Sequence, residues 1–322
     1  MADKCVGIDL GGTFIKFVTT DQQGGSSDIF ELPTPTDGGP EGLVAQMVRG
    51  ARQAMDACEA MGDKVIGVGV GSPGPLDLAA GVVIASPNIS GMVNVPLRDM
   101  VSDGVGLPVV LENDANAAAY GEYISGAGKD ADDLVVLTLG TGVGGGIVID
   151  GEIMHGSHEI GAELGHMILV PDGAECGCGQ RGCMEQYCSA KFMADRTMAR
   201  IAAEKPQTAL NAIMESKGSI DAKDINEARA GGDAFAAEAW DQTARYLALG
   251  CVSLTRIFDP DKIVLTGGMA RAGADLIEPV RKHFAELHWS MTEIKTQVDI
   301  ATLGSDAGAI GAAGVAWRRF GS

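Results

Sequence analysis

The chain has 322 residues, 46% of them hydrophobic, enough for one large or two ordinary domains with cores of their own. Its 24 basic and 43 acidic residues leave a net charge of −19, which repels nucleic acid and anionic lipid and, spread along the chain, serves mainly solubility. No stretch approaches the roughly 20 apolar residues of a membrane span, and the start MADKCVGIDLGG lacks the basic and apolar regions of a signal peptide; a cytoplasmic protein is expected, its seven cysteines thiols rather than disulfides.

Strands alternate with helices along the chain. The opening KCVGIDLGGTFIKFVTTDQQGG reads as strand, Gly-Gly-Thr turn, strand and Gly-Gly loop, with a third strand expected near SSDIFELPT. Residues 40–61 place apolar side chains at helical spacing behind a proline suited to a first turn. KVIGVGVGSPGPLD is a buried strand running into a Gly/Pro loop, and LPVVLENDANAAAYGEYISG is a strand passing directly into an Ala-rich helix. The pattern then restarts: DLVVLTLGTGVGGGIVIDGEI is again strand, glycine turn, strand. Helices dominate 189–258, where AFAAEAWDQTARYLALGCVSLTRIF is amphipathic and suited to a domain or subunit contact, and KIVLTGGMARAG is a strand leading into a helix start. This recurrence predicts an α/β fold of two related lobes with a cleft between them. The first is expected over 1–114 with a last helix, 307–322, returning to it, and the second over 115–306.

Three glycine turns offer phosphate sites. DLGGTFIK places Asp9 at a strand end, Gly11 and Gly12 where amides can face outward, the Thr13 hydroxyl and Lys16; such a turn can hold phosphate, with Asp9 holding Mg2+ through water. A tight hairpin using Gly-Gly for geometry alone is the competing reading. Gly140, Thr141 and Gly142 form a second turn, and Gly267 and Gly268 a third at a helix start. No turn matches a P-loop or a dinucleotide fingerprint. ENDANAAAYGE carries Glu112, Asn113 and Asp114 to a helix mouth, where Asn and Asp serve equally as helix caps or as reactive groups. GHMILVPDGAECGCGQRGCMEQ packs one histidine and three cysteines into residues 165–186, and reduced thiols favour a metal site over a disulfide knot.

The spaced pattern Leu139, Gly142, Val143, Gly144, Gly146, Ile147, Gly156, Ala162, Gly165, His166 resembles the signature of the ROK family of sugar kinases and repressors, in the actin-like ATPase superfamily. GIDLGGTFIK is similar to that family's first phosphate loop and LTGGM to its adenosine loop, so the resemblance covers nearly the whole chain. SPNI and ENDANAAA are most like the bacterial glucokinases of the family. The resemblance implies two ribonuclease-H-like lobes closing on ATP and a hexose, with glucose first among substrates and N-acetylmannosamine, N-acetylglucosamine, mannose or fructose as alternatives. Polyphosphate-using relatives share the same loops. It implies that Asp114 is the catalytic base, that Asn88, Asn113, Asp114, Glu163, His166 and Glu185 hold the sugar, and that the chain forms a homodimer or tetramer.

His166, Cys176, Cys178 and Cys183 complete a tetrahedral shell for structural Zn2+, with glycines at 177, 179 and 182 letting the loop fold tightly; a redox pair is the competing reading. The metal would brace Glu163 and Glu185. Cys5, Cys58, Cys188 and Cys251 have apolar surroundings and are expected to pack as thiols. Met92 departs from the tryptophan many such kinases carry before Val-Pro-Leu, which implies an altered sugar lid. A family repressor would carry a winged helix ahead of the first phosphate loop, where this sequence has only eight residues before Asp9, and a silent sensor would be expected to lose Asp9 or Asp114. A kinase without nucleic-acid or membrane partners is the expectation.

Overall fold

The structure, a computed structural model, describes residues 2–86, 89, 91–289 and 291–321. Its elements in chain order are β1 (Asp3–Leu10), β2 (Phe14–Thr20), β3 (Phe30–Pro33), α1 (Gly39–Ala60), β4 (Lys64–Ser72), β5 (Leu76–Asp77), β6 (Val82–Ala85), β7 (Val93–Val95), α2 (Leu97–Val105), β8 (Val109–Asn113) and α3 (Asp114–Ser125). There follow β9 (Leu134–Leu139), β10 (Val143–Ile149), β11 (Glu152–Ile153), α4 (Glu185–Cys188), α5 (Ala190–Glu204), α6 (Leu210–Lys217), α7 (Ala222–Ala230), α8 (Ala234–Phe258), β12 (Lys262–Thr266), α9 (Ala274–Leu287), β13 (Gln297–Ile300) and α10 (Ala307–Phe320).

Two five-stranded sheets share one topology. The first has the order β3-β2-β1-β4-β8 and the second β11-β10-β9-β12-β13. In the first, β1, β2 and β3 form an antiparallel meander and β1, β4 and β8 run parallel; in the second, β10 and β11 are antiparallel while β9, β12 and β13 are parallel. The glycine turns at 11–13 and 140–142 therefore occupy the same place in each sheet, as the recurrence in the sequence implied. The α/β fold with two related sheets is the one expected.

The chain divides into two compact units. One comprises Met1–Asp132, Gly146–Ala162 and Thr302–Ser322, the other Asp133–Gly145 and Glu163–Ala301. The first unit thus runs past the boundary expected at 114 and takes in α3, because α3 packs along α10.

The first core forms on both faces of its sheet. On one, α1 lays down Leu43, Val44, Met47, Ala51 and Ala54, one stripe at helical spacing, over Phe17, which stacks on Phe30 at 5.2 Å. On the other lies α10, whose sequence AGAIGAAGVA is nearly all small. A Cβ on Gly7 of β1 would strike the Ala309 carbonyl, and one on Gly311 of α10 would strike the Ala117 carbonyl of α3, so backbone meets backbone at both contacts. Met92 is 1% exposed and belongs to this core.

In the second unit, α8 buries Trp240, Leu247, Ala248, Cys251 and Leu254 and packs on α7 and α9. All seven cysteines are free, and Cys5, Cys58, Cys188 and Cys251 are buried among apolar side chains as expected. No described helix is long and apolar enough to cross a membrane.

Candidate active site

In the first unit, the β1–β2 turn is closed by the Gly11 N–H on the Phe14 carbonyl, 3.1 Å, and pinned from β3's end by the Thr34 hydroxyl on the Gly11 carbonyl, 2.6 Å. Gly12 and Thr13 are exposed at its tip. Asp9, two residues before Gly11, is pushed up to about 6, first by burial and then by the negative charge of Asp114, with Lys16 opposing and Asp306 adding to the shift. The start of α10 crowds this carboxylate, since a Cβ on Gly308 would lie 2.8 Å from it. Asp9, with the neighbouring carboxylates of Asp114 and Asp306, forms an oxygen donor set that fits Mg2+. Lys16 was expected at phosphate; its ammonium donates to the Ser305 carbonyl at 2.7 Å and to Asp306 Oδ1 at 2.9 Å, tying β2 to the approach to α10.

At the β8–α3 junction the cap belongs to Asn113. Its backbone is extended, and its Oδ1 accepts the N–H groups of Ala115 at 3.0 Å and Asn116 at 3.2 Å. Asp114 is the first helical residue, and its Oδ1 receives the Ala115 N–H at 2.9 Å. The side-chain amide N–H2 of Asn113 is not used in capping, so cap and ligand contact are compatible at that residue.

Two further residues matter here: Glu112, which the sequence placed at the helix mouth without a role of its own, and His155, which it did not mark. Glu112, 3% exposed, accepts the Asn113 N–H at 2.8 Å and the Asn116 side-chain N–H at 3.0 Å on Oε1, and meets His155 Nε2 at 2.7 Å on Oε2. An acid directly before a capping asparagine at a buried strand end was the available signal for Glu112; nothing local marked His155.

In the second unit, the Gly140–Gly142 turn is closed by the Gly140 N–H on the Gly142 carbonyl at 3.0 Å, and its Gly140 carbonyl receives the Ala190 N–H at the start of α5. Glu185 at the head of α4 braces this turn: its Oε2 accepts the Val143 N–H at 3.1 Å and occupies the space a Cβ on Gly142 would need. Gly267 follows β12 at φ 90°, close beneath the Leu139 backbone, and Gly268 opens a short 3-10 helix, Met269–Ala272. Only glycine fits that φ beside a neighbouring strand. A cavity of about 640 Å3 opens beside it, lined by Ala190, Asn226, Trp240, Gly268, Met269 and Ala272. Trp240 and Asn226 were not foreseen there.

The metal cluster also lies in this unit. The donor atoms of His166, Cys176, Cys178 and Cys183 all fall within 4.8 Å of one another. Cys178 Sγ to Cys183 Sγ is 3.7 Å and His166 Nδ1 to Cys176 Sγ is 3.6 Å. A tetrahedron with Zn–S bonds of about 2.3 Å has edges of about 3.8 Å, so the donor set fits zinc. His166 presents Nδ1 to the cluster, and Glu163 sits just before the 3-10 turn Leu164–His166. Glu185 Oε1 lies 3.8 Å from Cys176 Sγ, joining the cluster to the glycine turn. Asn88 lies outside the described residues.

The sequence profile of the ROK family matches residues 5–319. The chain belongs to the ROK family. A glucokinase of Halalkalibacterium halodurans is 36% identical over 313 residues, covering 97% of this chain and 94% of that protein. Among solved structures, a ROK glucokinase from Streptomyces griseus in complex with glucose and AMPPNP is 37% identical with a TM-score of 0.77, covering 98% of this chain and 99% of that one. A ROK hexokinase from Thermus thermophilus is 34% identical with a TM-score of 0.80, covering 98% of each.

Proposed function

We propose that the protein is an ATP-dependent glucokinase, converting glucose and ATP to glucose 6-phosphate and ADP. The observation that carries this reading is identity of 36–37%, over nearly the whole chain, to glucokinases that include one with glucose and an ATP analogue bound. The geometry supports it: phosphoryl transfer needs positioning and neutralisation of charge more than covalent chemistry. Asp114 takes the proton of the glucose hydroxyl as its oxygen attacks the γ-phosphorus and ADP departs. Asn113 offers its amide N–H2 to a sugar hydroxyl while its oxygen caps α3. Asn88, Glu163, His166 and Glu185 hold further hydroxyls, and a site built of such acceptors rejects sugars that leave them unpaired.

The amides of the Gly11–Thr13 turn and of Gly140–Gly142 receive phosphate oxygens, and Gly267 and Gly268 with the adjoining cavity receive the nucleoside. Lys16 orders the turn through Asp306. Mg2+, held from Asp9, would neutralise phosphate charge; Zn2+, held by His166, Cys176, Cys178 and Cys183, would brace Glu185 and leave His166 Nε2 for the sugar. A coupled assay over a panel of hexoses and N-acetylhexosamines, with ATP and polyphosphate as donors, tests the reading. Fastest turnover per unit KM with glucose and ATP is expected; preference for another sugar or for polyphosphate would replace the assignment.

A further inference from the structure

Glu112 is a buried carboxylate with a complete set of partners, and every partner bears on one turn. Burying such a charge is costly unless its oxygens are satisfied. Oε1 grips the Asn113 backbone N–H and the Asn116 side chain, which are the strand end and the first turn of α3. Oε2 is held by His155, beyond β11, whose side chain is one-third exposed. Between these grips in sequence lie Asp114 and Ala115.

We infer that the Glu112–His155 pair is a positioning device for Asp114, His155 anchoring the buried carboxylate that sets the strand-to-helix turn. The inference rests on Asp114 being the base. Glu112 and His155 are positioning residues and touch no reacting atom. A base displaced by a fraction of an ångström keeps its cap and its fold but loses the alignment on which proton transfer depends.

His155 borders a cavity of about 950 Å3 whose other charged side chains are Glu112, Glu152, Glu159, Arg98, Arg318 and Arg319. Arg98 is committed to Asp99 and the Ala79 carbonyl, Arg318 to Glu152 and the Gly151 carbonyl, and Glu159 to the Leu78 N–H. Among these charged side chains His155 is the one hydrogen-bonded to Glu112. Its proton affinity is raised above the ordinary histidine value, first by the hydrogen bond to Glu112, against burial, and with the charges of Glu112 and Glu159 adding. The charge-assisted grip is complete at low pH and weakens as pH rises through that raised value.

The test compares His155→Ala and His155→Gln with the wild type from about pH 6 to about pH 9, reading kcat, both KM values and melting temperature. Glutamine keeps a donor for Glu112 but has no titration. His155→Ala should lose about tenfold in kcat with the KM for ATP unchanged. His155→Gln should recover most of the neutral-pH kcat and lose the decline of kcat that His155 contributes at alkaline pH. Wild-type kcat in His155→Ala overturns the inference, as does an unaltered pH profile in His155→Gln, which decides the matter if the alanine variant does not fold. Asp114→Asn is assayed alongside: slow Asp114→Asn with normal His155→Ala refutes positioning alone, whereas normal Asp114→Asn refutes the base and with it the object being positioned.

Discussion

Asn113 closes α3 through its own Oδ1, so exchanging Asp114 for asparagine leaves the cap in place. Asp114→Asn should lower kcat by on the order of 10²–10⁴ while melting temperature and glucose affinity hold nearly constant. A kcat near normal, measured with calorimetric glucose binding, would return Asp114 to a structural role. Asp9 leads to a prediction about stability. Its folded carboxyl keeps its proton up to about pH 6, whereas the unfolded one releases it near 3.8. The unfolded state therefore binds fewer protons in that window, and stability falls as pH rises through it; below the window the penalty is absent and above it complete. Asp9→Asn should melt higher than the wild type above about pH 6, lose that advantage below about pH 4, and be slow as a kinase. Thermal melts across pH read it, and a wild type that melts higher at neutral pH without ligands contradicts it.

Among the elements, the loop from His166 to Cys183 depends on its donors more than on its own packing. Cys178 is exposed and its thiol is pulled down to about 6, first by the Gln180 backbone N–H and then by that residue's side chain, whereas burial pushes Cys183 up to about 12. Freshly prepared, unchelated protein should hold close to one zinc per chain, and Cys178→Ser should weaken glucose binding more than ATP binding; metal analysis finding none would refute the site. The strands and helices were largely legible because their apolar spacing is regular: α1 and α8 fall where 40–61 and 234–258 placed them. The glycine turns were legible because Gly-rich runs between apolar strands stand out, although only Gly267 among them takes a left-handed φ, and the Cys3His loop because its spacing is specific. The boundary at 114 was less so, since what binds α3 to α10 is a glycine and alanine seam far apart in sequence. His155 was invisible for the same reason: its partner lies 43 residues earlier. Lys16 was placed on phosphate by proximity in sequence, and its contact with Asp306 depends on residues 290 positions away.

For the molecule as a whole, the family resemblance implies a homodimer or tetramer. Ile257, Trp289, Met291 and Ile294 are exposed apolar side chains of the second unit, with Arg256 stacked over Trp289 at 3.8 Å. A second copy covering them would double the mass, so light scattering should give about twice the 33.1 kDa of one chain; a single-chain mass would refute the dimer. The discontinuity of the first unit has a consequence for how the protein is made. β1 and β4 leave the ribosome early, yet the small-residue helix that seals their sheet is α10, synthesised after every other described element. Every residue of the second unit, 133–145 and 163–301, emerges before it. The nascent N-terminal sheet must therefore wait, one face bare, while the half encoded after it becomes able to fold, and the order of folding during translation inverts the order of the code. A chain truncated before residue 307 and released from the ribosome should show the first half open to protease and the second half protected.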